Sequence, residues 1–169
     1  MRTAKLFLAA IAFTISACNQ PKKTDEKMDH SMSHQPKKAG NVMMDAMDES
    51  MMAMHKAKQT GNADYDFASM MIPHHEGAIK MAEAVVKQGK SVALIDFSNK
   101  VIVAQQSEIS MLKDLLKTAN LEPNKEAATF KKALDASMAP MMEGMAKVKL
   151  TGDIDTDFVA LMIPHHQSA

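Results

Sequence analysis

The sequence predicts an all-α protein, an antiparallel up-and-down helical bundle with an internal repeat, and three observations carry that expectation. Leu, Ala, Met, Lys and Glu dominate the middle of the chain, and all five are good helix formers. Apolar residues there recur at steps of three and four, and no useful length alternates with a strand's period. Third, Met71-Ile72-Pro73-His74-His75 occurs again 91 positions on as Met162-Ile163-Pro164-His165-His166. The match runs without a gap from Met47–Ala78 to Met138–Ala169, so one structural unit is used twice. At 169 residues the chain has room for one domain or two small ones.

Residues 1–18 read as an export signal. Arg2 and Lys5 precede an apolar run, Leu6 to Ala17, that is too short to span a bilayer as a mature helix. The run ends Ile15-Ser16-Ala17-Cys18, which resembles a lipoprotein cleavage box, with Cys18 as the lipidated first mature residue. Cys18 is the sole cysteine, so no intrachain disulfide forms. The protein is therefore expected on the periplasmic side of a bacterial membrane, held by a lipid anchor only, or secreted. Residues 19–41 form a linker rich in Lys, Pro, Ser and Asp without apolar periodicity. It contains Met28, His30, Met32 and His34, an alternation of thioether and imidazole that suits a soft metal ion as well as it suits a plain solvated tether.

Four helices and the start of a fifth follow, residues 42–120 forming the first repeat and 121–169 an incomplete second one. The first helix is expected over Val42–Lys58, with Met44, Met47, Met51 and Met54 on one face. A turn centred on Gly61 leads to the second, capped by Asp64 or Asp66 and stopped by Gly89. Pro73 disfavours helical geometry at Ile72. A continuous, bent helix is still expected, because Phe67, Met70, His74, Ala78 and Met81 keep one stripe across it. The third helix spans Ser91 to Ala119, with Ile95, Ile102, Ile109 and Leu116 as a packed seam. The fourth spans Lys125 to Val148, with Phe130, Leu134, Met138, Met142 and Met145 on a face and Pro140 as a point where it bends or splits. The fifth starts at Asp155 or Asp157, and the counterpart of the third helix is missing from the second repeat.

What the repeat preserves points to chemistry. Adjacent helical residues point about 100° apart, so His74 and His75 are expected to have separate partners. Met71 stands four residues before His75 and Met162 four before His166, on the same face in both copies. Met70 stands likewise before His74, but Leu161 occupies that place before His165. Further ligands are expected from the preceding helix: Met47, Met51 and Met54, duplicated as Met138, Met142 and Met145. His55 and Met81 are auxiliary candidates. Any single methionine of such a stripe is ordinarily core. The joint pattern of two His-His pairs, duplicated methionines and a Met/His tract favours soft-metal binding. Thioether prefers Cu(I), for which Ag(I) is a surrogate. Imidazole binds metal only when neutral, so affinity is expected to weaken below about pH 6.

Enzyme readings fare worse. No Glu-x-x-His occurs for a di-iron centre, and Ile79 stands where a zinc protease of the His-Glu type needs its second histidine. No cysteine remains for thiol chemistry and no Gly-rich loop for phosphate. The 20 basic and 20 acidic residues balance, which argues against a nucleic-acid partner.

Asp66-Phe67 leading into Met71-Ile72-Pro73-His74-His75-Glu76-Gly77-Ala78, with Gln105-Gln106-Ser107-Glu108-Ile109 on the next helix, resembles the domain of unknown function 305 family, which includes CopM-like copper-binding proteins. The resemblance covers about Val42 to Ala169. It implies a ferritin-like bundle and capture of copper outside the cytoplasm by Met and His, with His74, His75, His165 and His166 matching the hallmark. The expected function is non-enzymatic copper capture for tolerance or delivery, with a copper-handling protein as the further partner. The alternative is a structural or partner-binding helical module of the cell envelope.

Overall fold

In a computed structural model the described residues, 40–167, form five α-helices and no strand. The export signal, Cys18, and the tract of Met28, His30, Met32 and His34 lie outside the described residues. The helices are α1 (Val42–Lys56), α2 (Ala63–Gln88), α3 (Val92–Thr118), α4 (Ala127–Lys147) and α5 (Ile154–His166). Among the described residues no helix is long and apolar enough to cross a membrane.

The central element is α2, which packs against each of the other four helices. A joint of only three residues, 89–91, connects it to α3, so the two run antiparallel along their length. Its neighbour α1 covers another side, and α4 packs on α5 as α1 packs on α2. The core joins Met43, Ala46 and Met47 of α1 to Ala78, Met81 and Val85 of α2, Val101 of α3 and Phe158, Leu161 and Met162 of α5. Each repeat thus contributes a helix that buries the other's apolar face. Of α4 only Met141 is buried. Phe130 near the start of α4 meets Phe67 edge to face at 6.0 Å, a favoured aromatic geometry.

The two repeats are built by the same turn. Thr60 donates its amide (2.6 Å) and hydroxyl (3.0 Å) to Asp66 Oδ1, and the Gly61 amide donates to Oδ2 (3.0 Å). Thr151 and Gly152 bind Asp157 in the same way, at 2.7, 2.9 and 3.0 Å. Gly61 has φ +80° and Gly152 φ +84°, left-handed backbone that glycine adopts without a Cβ penalty.

This turn corrects the expected caps. Asp64 and Asp66 do not cap α2; Asn62 does, its side chain accepting from the Asp64 and Tyr65 amides. Nor do Asp155 and Asp157 cap α5; that place belongs to Asp153, which accepts from the Thr156 amide. Asp66 and Asp157 reach back to the turn instead, and Asp155 reaches to the start of α3, accepting from the Lys90 and Ser91 amides.

Three internal prolines are carried inside unbroken helices, Pro73 in α2, Pro140 in α4 and Pro164 in α5. Close approach supports the first. A Cβ on Gly77 would stand 2.6 Å from Ser50 Cβ, so only glycine lets α1 come this near. From there Ser50 Oγ donates to the Pro73 carbonyl at 2.9 Å. In the second repeat Gly144 of α4 faces Pro164 in the same tight manner. The seam of α3 is wider than the expected one, with Ile109 buried and Ile95 and Ile102 packed against the core as expected. Its buried residues are Ser98, Val101, Gln105 and Ile109, while Ile95, Ile102 and Leu116 lie at the margin, half-buried.

Candidate functional site

The two His-His pairs meet. The rings of His74 and His165 stack with centroids 4.0 Å apart and planes inclined by 11°. A contact between equivalent residues of two copies is what a two-fold relation produces, and here it falls where α2 crosses α5. His75 lies 5.8 Å from His74 at 53°, and His166 lies 5.6 Å from His165 at 73°. One cluster of four imidazoles, two from each repeat, therefore replaces the two separate sites that helical spacing suggests. His74 and His165 are each 2% exposed. His75 is mostly buried and His166 exposed.

Burial sets the protonation state. It lowers the His74 pKa from 6.5 to about 4, helped by the charges of His75 and His166. His165 is lowered to about 3, by burial first and then by His74, His166 and His75. Burial also lowers His75, with Glu108 opposing it and His166 adding to it. His74 and His165 thus stay neutral near pH 7, the only form of imidazole that ligates a metal. Proton competition at these two nitrogens sets in nearer pH 4 than the pH 6 expected of unperturbed histidines.

A folding consequence follows. Below about pH 6.5 the unfolded chain protonates both histidines while the folded chain does not, so the unfolded state binds more protons and stability falls. Each tenfold difference in proton affinity between the two states is worth about 1.4 kcal/mol. Metal-free protein is therefore expected to be fully stable above pH 6.5 and to lose a few kcal/mol down to about pH 4. Urea unfolding at half-unit pH steps checks this, and a flat profile between 6.5 and 4 contradicts it.

Around the cluster, Met71 is 7% exposed and Met162 4%. They are the methionines one helical turn before His75 and His166. Met47 sits in the core with Met81 and Met162. The Met54 sulfur lies 4.0 Å from Ser50 Oγ, beside the turn that carries the histidines. Met51, Met70, Met138, Met142 and Met145 are half-buried, Met145 packing against the core. His55 is exposed. Among the described residues no three His, Cys, Asp or Glu side chains converge as they would around one ion.

Two features escape sequence reasoning. Glu108 of α3 reaches His75, Oε2 to Nε2 at 3.1 Å; its only sequence signal is its place in the motif that also holds Gln105. Met141, between the paired positions Met138 and Met142, is the buried methionine of α4 at 1% exposure, and nothing in the repeat marks it.

The model of the family described as "Domain of unknown function (DUF305)" matches twice, over residues 11–116 and 64–169. Both matches contain Met71–His75, and the second also contains Met162–His166. No curated protein matches the chain, and no solved structure does. On the first of these matches, which by itself spans more than half of the sequence, the chain belongs to the DUF305 family.

Proposed function

We propose that the protein captures a soft metal ion, copper as Cu(I), where α2 crosses α5, and that it does so without catalysing a reaction. The observation that carries this reading is the meeting of both His-His pairs, with His74 and His165 buried and neutral. Polar side chains are rarely buried for packing alone, and four imidazoles gathered from two repeats supply a nitrogen donor set. Met71 and Met162, one turn away, add the thioethers that favour Cu(I) over harder ions. Imidazole lone pairs lie in the ring plane, and the stacked planes of His74 and His165 are nearly parallel. The ion is therefore held in the ring planes, by His74 or His165 together with an inclined neighbour of the cluster and a thioether, and not between the stacked faces of those two rings. In this reading Cys18 anchors the protein outside the cytoplasm, the tract of Met28, His30, Met32 and His34 is an accessory donor segment, and copper is held for tolerance or delivery to a copper-handling protein.

Anaerobic titration of Cu(I) against a chromogenic chelator tests the proposal. Cu(I) and Ag(I) are expected to bind well ahead of Zn(II) and Ni(II). Zinc binding as tight as copper's at neutral pH would remove the thioethers from the site.

A second reading, a structural or partner-binding module of the envelope, has its own support. Met43, Met47, Met81 and Met162 fill the core, the adaptable packing for which methionine is suited. On it, Cu(I) titration finds no site among residues 40–167.

A further inference from the structure

We infer that Glu108 is a positioning residue for His75: its carboxylate holds the Nε2–H form of the ring, so that Nδ1 is the nitrogen through which His75 meets a metal ion. The second half of this inference rests on the soft-metal reading of the site; the first half does not.

Donors and acceptors decide which ring nitrogen carries the proton. A neutral imidazole carries one N–H and one lone pair. Glu108 Oε2 lies 3.1 Å from His75 Nε2, a charge contact off the line of a ring N–H bond. Because an ionised carboxylate attracts an N–H and repels a lone pair, Nε2 carries the proton. The lone pair then falls on Nδ1. That atom is buried and has no hydrogen-bond partner. Were Nδ1 protonated as well, a buried N–H would be left without an acceptor, which is costly. Were Nδ1 the only protonated nitrogen, two lone pairs, those of Nε2 and the carboxylate, would face each other across 3.1 Å. An unused lone pair held inside the histidine cluster, on a ring oriented from its far side by a carboxylate, is the arrangement that histidine ligands of metals share.

The carboxylate reaches the ring from a third helix. Val101, Gln105 and Ile109 seat α3 against the bundle, and Glu108, half-exposed at the edge of that seam, turns to His75. α3 thus takes part in the site although it carries no candidate ligand of its own. The counterpart of His75 in the second repeat, His166, is exposed, so the two copies of the motif are expected to differ in how firmly their outer histidine is held.

Long-range ¹H–¹⁵N NMR of the histidine rings in the full-length protein reads both halves, with Ag(I) as the probe because it is diamagnetic. Metal-free protein is expected to show His75 protonated at Nε2 and bare at Nδ1. Added Ag(I) should shift Nδ1 and leave Nε2 protonated. Glu108→Ala should lose the tautomer preference and bind Ag(I) about 10- to 100-fold more weakly, the range for losing an orienting partner. Its metal-free melt should stay near the parent's, since Glu108 is half-exposed, and Glu108→Gln, which keeps an acceptor oxygen, should recover part of the affinity. A proton on His75 Nδ1 in the metal-free spectrum overturns the inference whatever the metal does. So does Ag(I) that moves the other histidines but not His75 Nδ1, or unchanged affinity in Glu108→Ala. Silver that moves no histidine resonance overturns the proposed function itself, and the metal-free spectrum still decides the tautomer.

Discussion

Replacing His74 and His165 together by Leu is expected to weaken Cu(I) binding by about 100-fold or more. Loss of a mere orienting partner at a metal site costs up to about 100-fold, and these two residues are proposed as ligands. Leu has roughly the volume of the buried ring and no polar atom to satisfy, so the packing at the crossing of α2 and α5 is largely kept. The same protein carries an internal check that needs no metal. Both histidines titrate far below 6.5 when folded, and each destabilises the fold as pH falls. Without them, stability should decline much less between pH 6.5 and 4, only the lowered His75 of the cluster remaining to contribute, and the variant should be more acid-resistant than its parent. A variant that keeps this flatter profile and still binds Cu(I) with full affinity and stoichiometry would show the stacked pair to be a packing device. Met71→Leu separates sulfur from shape in the same assay. Its stability should stay within about 1.5 kcal/mol of the parent's, and it should bind Cu(I) more weakly.

Asp157→Ala is expected to destabilise the fold by roughly 3 kcal/mol, the upper end of the range for losing hydrogen bonds to a charged group. Asp157 is 1% exposed. Its carboxylate accepts from the Thr151 amide and hydroxyl, the Gly152 amide and Asn41 Nδ2, the last at 3.0 Å. Burial pushes this carboxyl up, but the hydrogen bonds from Thr151, Asn41 and Gly152 outweigh it and hold it below the ordinary aspartate value. It therefore stays ionised, and the alanine variant removes the acceptor of four donors, those of Thr151 and Gly152 lying on exposed residues that water can reach. Asp66 binds the equivalent turn but is only half-buried, so Asp66→Ala should cost less, about 1–3 kcal/mol. Denaturant unfolding of the two variants side by side makes the comparison. Equal losses would mean that the turn bonds alone matter and that burial and Asn41 add nothing.

The helices were legible in the sequence because helix is a local matter. The starts and ends of α1 and α3 and the end of α2 agree with the expected ones within about two residues, the ordinary scatter of such boundaries, and α2 starts one residue before Asp64 and three before Asp66. That α2 runs through Pro73 could be read from the stripe Phe67, Met70, His74, Ala78 and Met81, which crosses the proline; His74, Ala78 and Met81 are buried, Met70 is half-buried, and Phe67 is exposed and meets Phe130. The caps were less legible. Asn62, Asp64 and Asp66 are all chemically able to cap, and the choice depends on the left-handed turn at Gly61, which aims Asp66 backward at Thr60. The same ambiguity recurs at Asp153, Asp155 and Asp157.

By itself the sequence determined a repeated helical unit, its turns, and the side chains it keeps in both copies. Periodicity says which residues share a face, and a repeat says which are equivalent. Neither says what lies opposite. That His74 stacks on His165, that α3 brings Glu108 to His75, and that Met47 and Met162 belong to the core were decided only when α5 came to lie across α2. The physical reason is that a helix's apolar stripe specifies burial without specifying a partner. The close approach that selects one partner depends on particular absent atoms, such as the missing Cβ of Gly77 against Ser50, which acquire meaning only in three dimensions.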